Sequence, residues 1–291
     1  MLLSIDANFQ PQVKASLKWL AFSLEPLNLG QLAEIFMLPS KSDDGFESMS
    51  RLFSSIDVLK YFPGLVVTEG SPINGASHVR LAHFSIKEYL TSDRILQTRS
   101  SVFAFTEADA HIHIGRFCLA YHLHISPTSE ISNEHELHYY LYHEETLAGY
   151  ACIGWARHIE FIPRASWPPE ILRNAVLSLS IYCISLVHTI YRFTRIRNFI
   201  RQPYLYTATR GFRQLTEMLI SSSVGVGRYL TQVDLDDGLY WATPCAAGNL
   251  DFVHLLLKEG ANVNVEAGYH GTALEAACAR SHTDVARVLL E

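Results

Sequence analysis

The sequence lacks the short signatures on which most enzymes run. No Gly-x-x-x-x-Gly-Lys-Ser/Thr occurs, and the nearest glycine cluster, Gly225-Val-Gly227, is followed by Arg228 with no Lys-Ser/Thr pair. Phosphoryl transfer needs a backbone cradle and a Mg²⁺ ligand, so the chain carries no machinery of its own for it. No Gly-x-Ser-x-Gly is present, which excludes a nucleophile elbow. The 14 histidines form no His-Glu-x-x-His and have no cysteine partner at zinc spacing. His111 and His113 stand two apart on a helical stretch and face different ways, and His122 and His124 repeat the problem. His135 and His138, beside Glu134 and Glu136, are spaced to share a face. No metal site is expected, and carboxylate pairs such as Glu144-Glu145 read as solvated helix faces. No enzymatic activity is expected.

Cysteine is sparse and basic charge is not in excess. Cys118, Cys152, Cys183, Cys245 and Cys278 are scattered singly. An odd, unpaired set without a secretory leader points to a reducing, cytoplasmic compartment, with thiols used as small hydrophobes. Lys and Arg number 23 against 29 Asp and Glu, for a net charge of −6. Nothing in that balance attracts nucleic acid. The longest apolar run, residues 175–190, is interrupted by Ser178, Ser180, Ser185 and His188. It falls short of the roughly 20 residues a membrane span requires. Arg192, Arg195, Arg197 and Arg201 flank it, as basic residues flank a span, yet a buried helix is the better reading. Neither a membrane nor a nucleic-acid partner is expected.

Apolar residues are plentiful instead. At 48% hydrophobic and 18% charged, the chain can bury a core and is not disordered. Its 291 residues suffice for about two domains. Two stretches near the C-terminus repeat each other. Residues 239–257 align with residues 272–290, pairing Trp241 with Leu274, Cys245 with Cys278, Asp251 with Asp284 and Leu257 with Leu290. Each pair differs by 33 (for example 274 − 241), which is the ankyrin period. A weaker copy begins at Tyr204, with Gly211 standing for Gly248 at a spacing of 37 and the extra residues accommodated in a loop at 221–233. Leu289 and Leu290 have no following repeat to cover them, so the last repeat reads as truncated and the chain as part of a longer array.

The N-terminal part carries helix signals followed by strand signals. Val13 to Leu24 shows a helical apolar face, and Glu25-Pro26 interrupts it. Asn28 with Gln31 opens a second helix in the manner of a capping box, and that helix stops before Pro39. Met49 to Tyr61 predicts a third. Residues 65–69 and 78–84 are β-prone and joined by Gly70 to Gly75, a hairpin signal. Ser85 with Glu88 predicts a capping box opening a helix through Ile95, and Thr106 with Asp109 opens another. Further helices are expected at Glu144 to Glu160 and from Glu170 to about Phe199. The expected fold is mainly α: a three-helix domain with a small hairpin at 13–95, a helical connector at 96–202 and about three ankyrin repeats at 203–291.

Those residues resemble known families. Thr272-Ala-Leu-Glu275 is similar to the ankyrin Thr-Pro-Leu-His, and Gly260-Ala-Asn-Val-Asn264 to its Gly-Ala-Asp-Val-Asn. Residues 15–34 and 79–90 resemble the winged helix that follows the NACHT ATPase in fungal NACHT–ankyrin proteins, and Trp155-Ala-Arg-His158 fits their helical connector. Residues 1–12 resemble the junction leaving the ATPase domain. The resemblance implies the regulatory and sensing portion of an NLR-like signalling protein, with no cofactor of its own. In such winged helices a His in a His-x-Ser-x-x-Glu context contacts bound ADP when the ATPase is present; here that residue is His83. A NACHT ATPase fragment with its P-loop upstream is the alternative. A DNA-binding winged helix is a further one, disfavoured because Arg51 and Lys60 are offset by Glu47 and Asp57. The function implied is protein–protein contact through the ankyrin finger loops. The candidate contact residues are Asp234, Asp236 and Asp237 in one loop, and Glu266, Tyr269 and His270 in the next.

Overall fold

A computed structural model of the chain describes residues 2–37, 54–70, 77–125, 147–178, 207, 212–220, 232–242, 250–266 and 270–291. Two compact units emerge. The first comprises Met1–Ile162 and Ser166–Ser178; the second comprises Pro163–Ala165 and Leu179–Glu291.

In the first unit, helix α1 spans Gln10–Phe22 with Pro11 in its opening turn. Proline has its φ preset for that position and no N–H to lose there, so the helix begins ahead of the expected Val13. Val13, Leu17, Trp19 and Phe22 form its buried side. Strand β1 (Leu27–Asn28) leads directly into α2 (Leu29–Met37). The expected capping box is present. Asn28 N–H donates to Gln31 Oε1 at 3.1 Å and Gln31 N–H to Asn28 Oδ1 at 2.8 Å, so two orphan amides of the helix start are satisfied. In its described part the expected third helix is a 3₁₀ turn, Ser55–Tyr61; residues 49–53 lie outside the described residues. Phe36 of α2 stacks on Tyr61 with ring centroids 4.3 Å apart, and Phe9 meets the same ring at 4.7 Å.

Strands β2 (Val66–Glu69) and β3 (His78–Leu81) sit where the hairpin was expected, and residues 71–76 of its connection lie outside the described residues. The sheet has three strands in the order β1-β3-β2, both pairings antiparallel, with Leu27 opposite Val79 and Val66 opposite Leu81. Alternation along β3 buries Val79 and Leu81 and exposes His78 and Arg80. Arg80 pairs with Glu69 across the exposed face.

The helix expected over 85–95 is two short ones, α3 (Phe84–Leu90) and α4 (Asp93–Leu96). At the break Thr91 Oγ1 donates to Lys87 O at 3.0 Å and Ser92 Oγ to Tyr89 O at 2.9 Å, while Ser92 N–H turns to Tyr89 O at 3.3 Å, a tightened last turn. Helix α5 (Glu107–Ile125) opens on the expected Thr106–Asp109 box, with reciprocal bonds of 3.0 and 3.1 Å. Helices α6 (Ala148–Glu160) and α7 (Pro169–Ser178) pack on α5. Gly115 permits the close approach, since a Cβ there would lie 3.1 Å from Ile159 Cγ1. Residues 126–146 and 179–200, which include His135, His138 and the rest of the expected long helix, lie outside the described residues.

The second unit contains α8 (Arg213–Ile220), α9 (Gln232–Ala242), α10 (Leu250–Lys258), α11 (Ala273–Ala279) and α12 (Thr283–Leu290). Helix α9 packs on α10 and α11 on α12, while α9 also meets α11 and α10 meets α12. Among the described residues, no helix is long and apolar enough to cross a membrane.

Candidate protein-interaction site

The last two helices show how the repeat is built. Thr272 Oγ1 accepts from Glu275 N–H at 3.3 Å, and Thr272 N–H donates to Glu275 Oε2 at 2.8 Å. This is the cap expected of Thr272, worth about 1 kcal/mol. Ala276 and Ala277 are fully buried, as close helix packing requires. Both α10 and α11 end in the same motif. Ala261 N–H bonds Leu256 O and Gly260 N–H bonds Leu257 O; His282 N–H bonds Ala277 O and Ser281 N–H bonds Cys278 O. These are Schellman closures, which place the C′ residue in the left-handed region. Gly260 is there at φ +95°, and Ser281 at φ +60° although it carries a side chain. The period of 33 puts Gly248 at the place corresponding to Ser281. Cys278, expected to be a buried hydrophobe, is exposed at the end of α11, whereas Cys118 is buried.

The period holds for the second helix of each pair and fails for the first. α10 and α12 begin 33 residues apart (283 − 250), and Leu256 and Leu289 are both buried. By the same offset α9 should begin near Tyr240, yet it begins at Gln232. Trp241 is therefore near the end of its helix while Leu274 is near the start of its own. Helix thus occupies the place of a finger loop, which corrects the reading of Asp234, Asp236 and Asp237 as loop residues. Asp236 is buried, and its Oδ1 accepts from Asn262 N–H at 2.6 Å and from Gln232 Nε2 at 2.8 Å. It supports the frame of the repeat. The i,i+4 bond from Gln232 is one local reason that this stretch is helical.

The segment that follows α10 is the better surface. Three bonds hold it along α9: Gln232 Nε2 to Gly260 O at 2.7 Å, Asn262 N–H to Asp236, and His270 N–H to the Tyr240 hydroxyl at 2.9 Å. Between these anchors Asn262, Asn264 and Glu266 are exposed, and Val263 and Val265 are half-buried. His270 is half-buried beside the last anchor; Tyr269 lies outside the described residues. A fixed backbone that presents two amides and a carboxylate suits recognition by hydrogen bonding and charge.

The first unit holds two polar clusters, one half-buried and one buried, that local sequence reasoning missed. Glu34 of α2 accepts from the Tyr121 hydroxyl at 2.6 Å and from Leu147 N–H at 2.8 Å, so one carboxylate joins α2, α5 and the start of α6. Deeper, His111 Nδ1 lies 2.8 Å from His158 Nδ1, and His158 Nε2 lies 2.8 Å from the Tyr150 hydroxyl. That hydroxyl accepts from Leu24 N–H at 2.9 Å. Burial pushes the His158 imidazole down to about 3, with His111 beside it adding to the effect. Burial also lowers His111, against the pull of the Glu107 carboxylate, and it raises the Tyr150 phenol. No group of three or more His, Cys, Asp or Glu placed to hold a metal occurs among the described residues.

His83 is exposed at the N-cap of α3, which corrects the assignment of Ser85 as the cap. Its Nδ1 accepts from Ser85 N–H at 3.2 Å and lies 2.7 Å from Ser85 Oγ. The imidazole thus satisfies a backbone amide of the helix start, which is its own structural reason to be there. One imidazole without a glycine cradle or a Mg²⁺ ligand does not fit a nucleotide within this chain.

Comparison with known proteins bears on the C-terminal region first. The ankyrin-repeat family matches residues 239–267. Over 280 residues, 90% of this chain, the sequence is 26% identical to the azaphilone pigments biosynthesis cluster protein L of Monascus ruber, and it spans 58% of that protein's length. Over 73 residues, 25% of the chain, it is 42% identical to the probable E3 ubiquitin-protein ligase XBOS33 of Oryza sativa subsp. japonica, covering 14% of that protein. No solved structure matches.

Proposed function

We propose that this chain is a non-enzymatic protein-interaction module that grips a protein partner through its ankyrin region. The observation that carries the reading is the segment after α10, clamped at Gly260, Asn262 and His270 and exposing Asn262, Asn264 and Glu266. Preorganisation of this kind lowers the ordering cost of binding. Helices α8 to α12 would continue as layers of a solenoid, in which neighbouring repeats bury one another's faces.

The finer reading is the regulatory and sensing portion of an NLR-like protein of the NACHT–ankyrin type. It draws support from the first unit's order of helix, strand, helix, 3₁₀ turn, strand, strand, with the sheet order β1-β3-β2, the order a winged helix would have. Nucleic acid is disfavoured by charge, since Arg51 and Lys60 of the expected third helix are offset by Glu47 and Asp57.

The test is affinity capture with the full chain, wild type beside Glu266→Lys. Proteins held by the wild type and released by the charge reversal support the module. Identical recovery by both, or substrate turnover by the purified chain, would overturn it.

A further inference from the structure

The buried histidine pair has only one proton arrangement that satisfies every member. Leu24 N–H donates to the Tyr150 oxygen, so the phenol's own hydrogen goes to His158 Nε2 at 2.8 Å. His158 then carries its proton on Nδ1 and donates to His111 Nδ1 at 2.8 Å. His111 must therefore be protonated on Nε2, the atom facing Glu107 Oε1 at 3.7 Å. The reversed order would aim two donors at the Tyr150 oxygen and strand its hydrogen in the interior. It would also turn a bare nitrogen toward a carboxylate. A chain of neutral donors and acceptors thus runs from a backbone amide at the end of α1, through α6, to α5.

We propose that this Tyr150–His158–His111 chain is an acid-released latch: neutral, it ties the turn after α1 to α5 and α6, and protonation of the histidines from solvent lets α6 part from that turn. An added proton has nowhere to go in the closed state. On His111 it sets two N–H groups against each other, or forces the reversed order. On His158 Nε2 it meets the phenol's hydrogen. The surrounding charges do not rescue it. Lys87 of α3 and Arg157 of α6 are like charges that oppose ionisation of His111 and His158 respectively. Glu25, from the turn after α1, is paired with Arg157 at 3.5 Å. Glu107 of α5 is the favourable partner at 3.7 Å, but it is 69% exposed and burial of the imidazole outweighs its pull. Helix α1 offers the Phe22 ring, 5.5 Å from His111, and the Glu170 of α7 is spent on Arg116. Cys118 of α5 lies near Tyr150. Phe161 stacks on the His111 ring at 4.4 Å and shields it from water.

The direction follows from linkage. Both imidazoles are held below their ordinary value in the folded chain, so the open form binds more protons, and the closed form loses ground as pH falls below about 6.5. His113 is also pushed down to about 4 by burial, with Lys18 and Arg116 adding to it; it stands outside the chain and serves as background.

Hydrogen exchange on the full chain, corrected for the intrinsic pH dependence, tests this at the Leu24 amide and across α6. Between about pH 7.5 and about pH 5, release of His158 should raise opening about 30-fold, and His111, also held below its ordinary value, should add to the rise. In His158→Phe, which keeps a ring but cannot be protonated, the rise should shrink by one such factor. An unchanged response in that variant overturns the latch. If the variant does not fold, imidazole nitrogen NMR of the wild type decides. His158 with its proton on Nδ1 and still neutral near pH 5, together with His111 carrying its proton on Nε2, supports the proposal. The opposite tautomers, or titration near the ordinary value, overturn it.

Discussion

The two units of this molecule are held together in different ways. In the second, the described bonds repeat and are short in sequence: a cap three residues long at Thr272, Schellman closures at Gly260 and Ser281, and ties of 26 to 30 residues from α9 to the next segment. In the first, single side chains bridge distant elements. Glu34 reaches Leu147 across 113 positions, Tyr150 reaches Leu24 across 126, and Trp19 packs its ring against both Phe117 and Tyr150. A fold made of repeated local units spreads its stability thinly. A fold knit by a few long-range contacts concentrates it.

Substitutions can break that contrast. Trp19→Ala should cost about 4 kcal/mol, because it empties a fully buried site against two aromatic rings. Urea denaturation followed by near-ultraviolet dichroism measures it, and a loss under 1 kcal/mol would show that the first unit is not concentrated around α1. Glu34→Ala strips the acceptor from Tyr121 and from Leu147 N–H, for a loss of about 2–3 kcal/mol. The same melts, with amide exchange at the start of α6, would register it. In the second unit the effects should be smaller. Thr272→Ala removes one capping bond, about 1 kcal/mol, visible as faster exchange confined to α11. Ser281→Gly should stabilise by roughly 0.5–1 kcal/mol, since glycine takes the positive φ without a Cβ clash. A Ser281→Gly chain that is no more stable would mean the strain is already relieved.

Legibility followed the same division. The boxes at Asn28–Gln31, Thr106–Asp109 and Thr272–Glu275 are readable because a cap depends on residues three apart. The hairpin strands are readable because alternation is local. His83 displaced Ser85 as a cap because an imidazole is not an ordinary capping side chain, although its Nδ1 accepts a bond as a hydroxyl oxygen does. Strand β1 was missed because two residues carry no pattern; it exists through its pairing with β3. The aspartates of α9 misled because the ankyrin period places them in a finger loop, while Asp236 finds its donors on Gln232 and Asn262.

By itself the sequence determined the ankyrin period, the mainly helical class and the helix starts capped at Asn28, Thr106 and Thr272, since each rests on residues within a turn or a repeat of one another. Only the tertiary structure decided which polar residues meet. His111 and His158 are 47 positions apart and look like ordinary helix residues, until packing buries them face to face at 2.8 Å. Short-range order is written in spacing, whereas a buried hydrogen-bond chain exists only once distant helices have excluded the water between them.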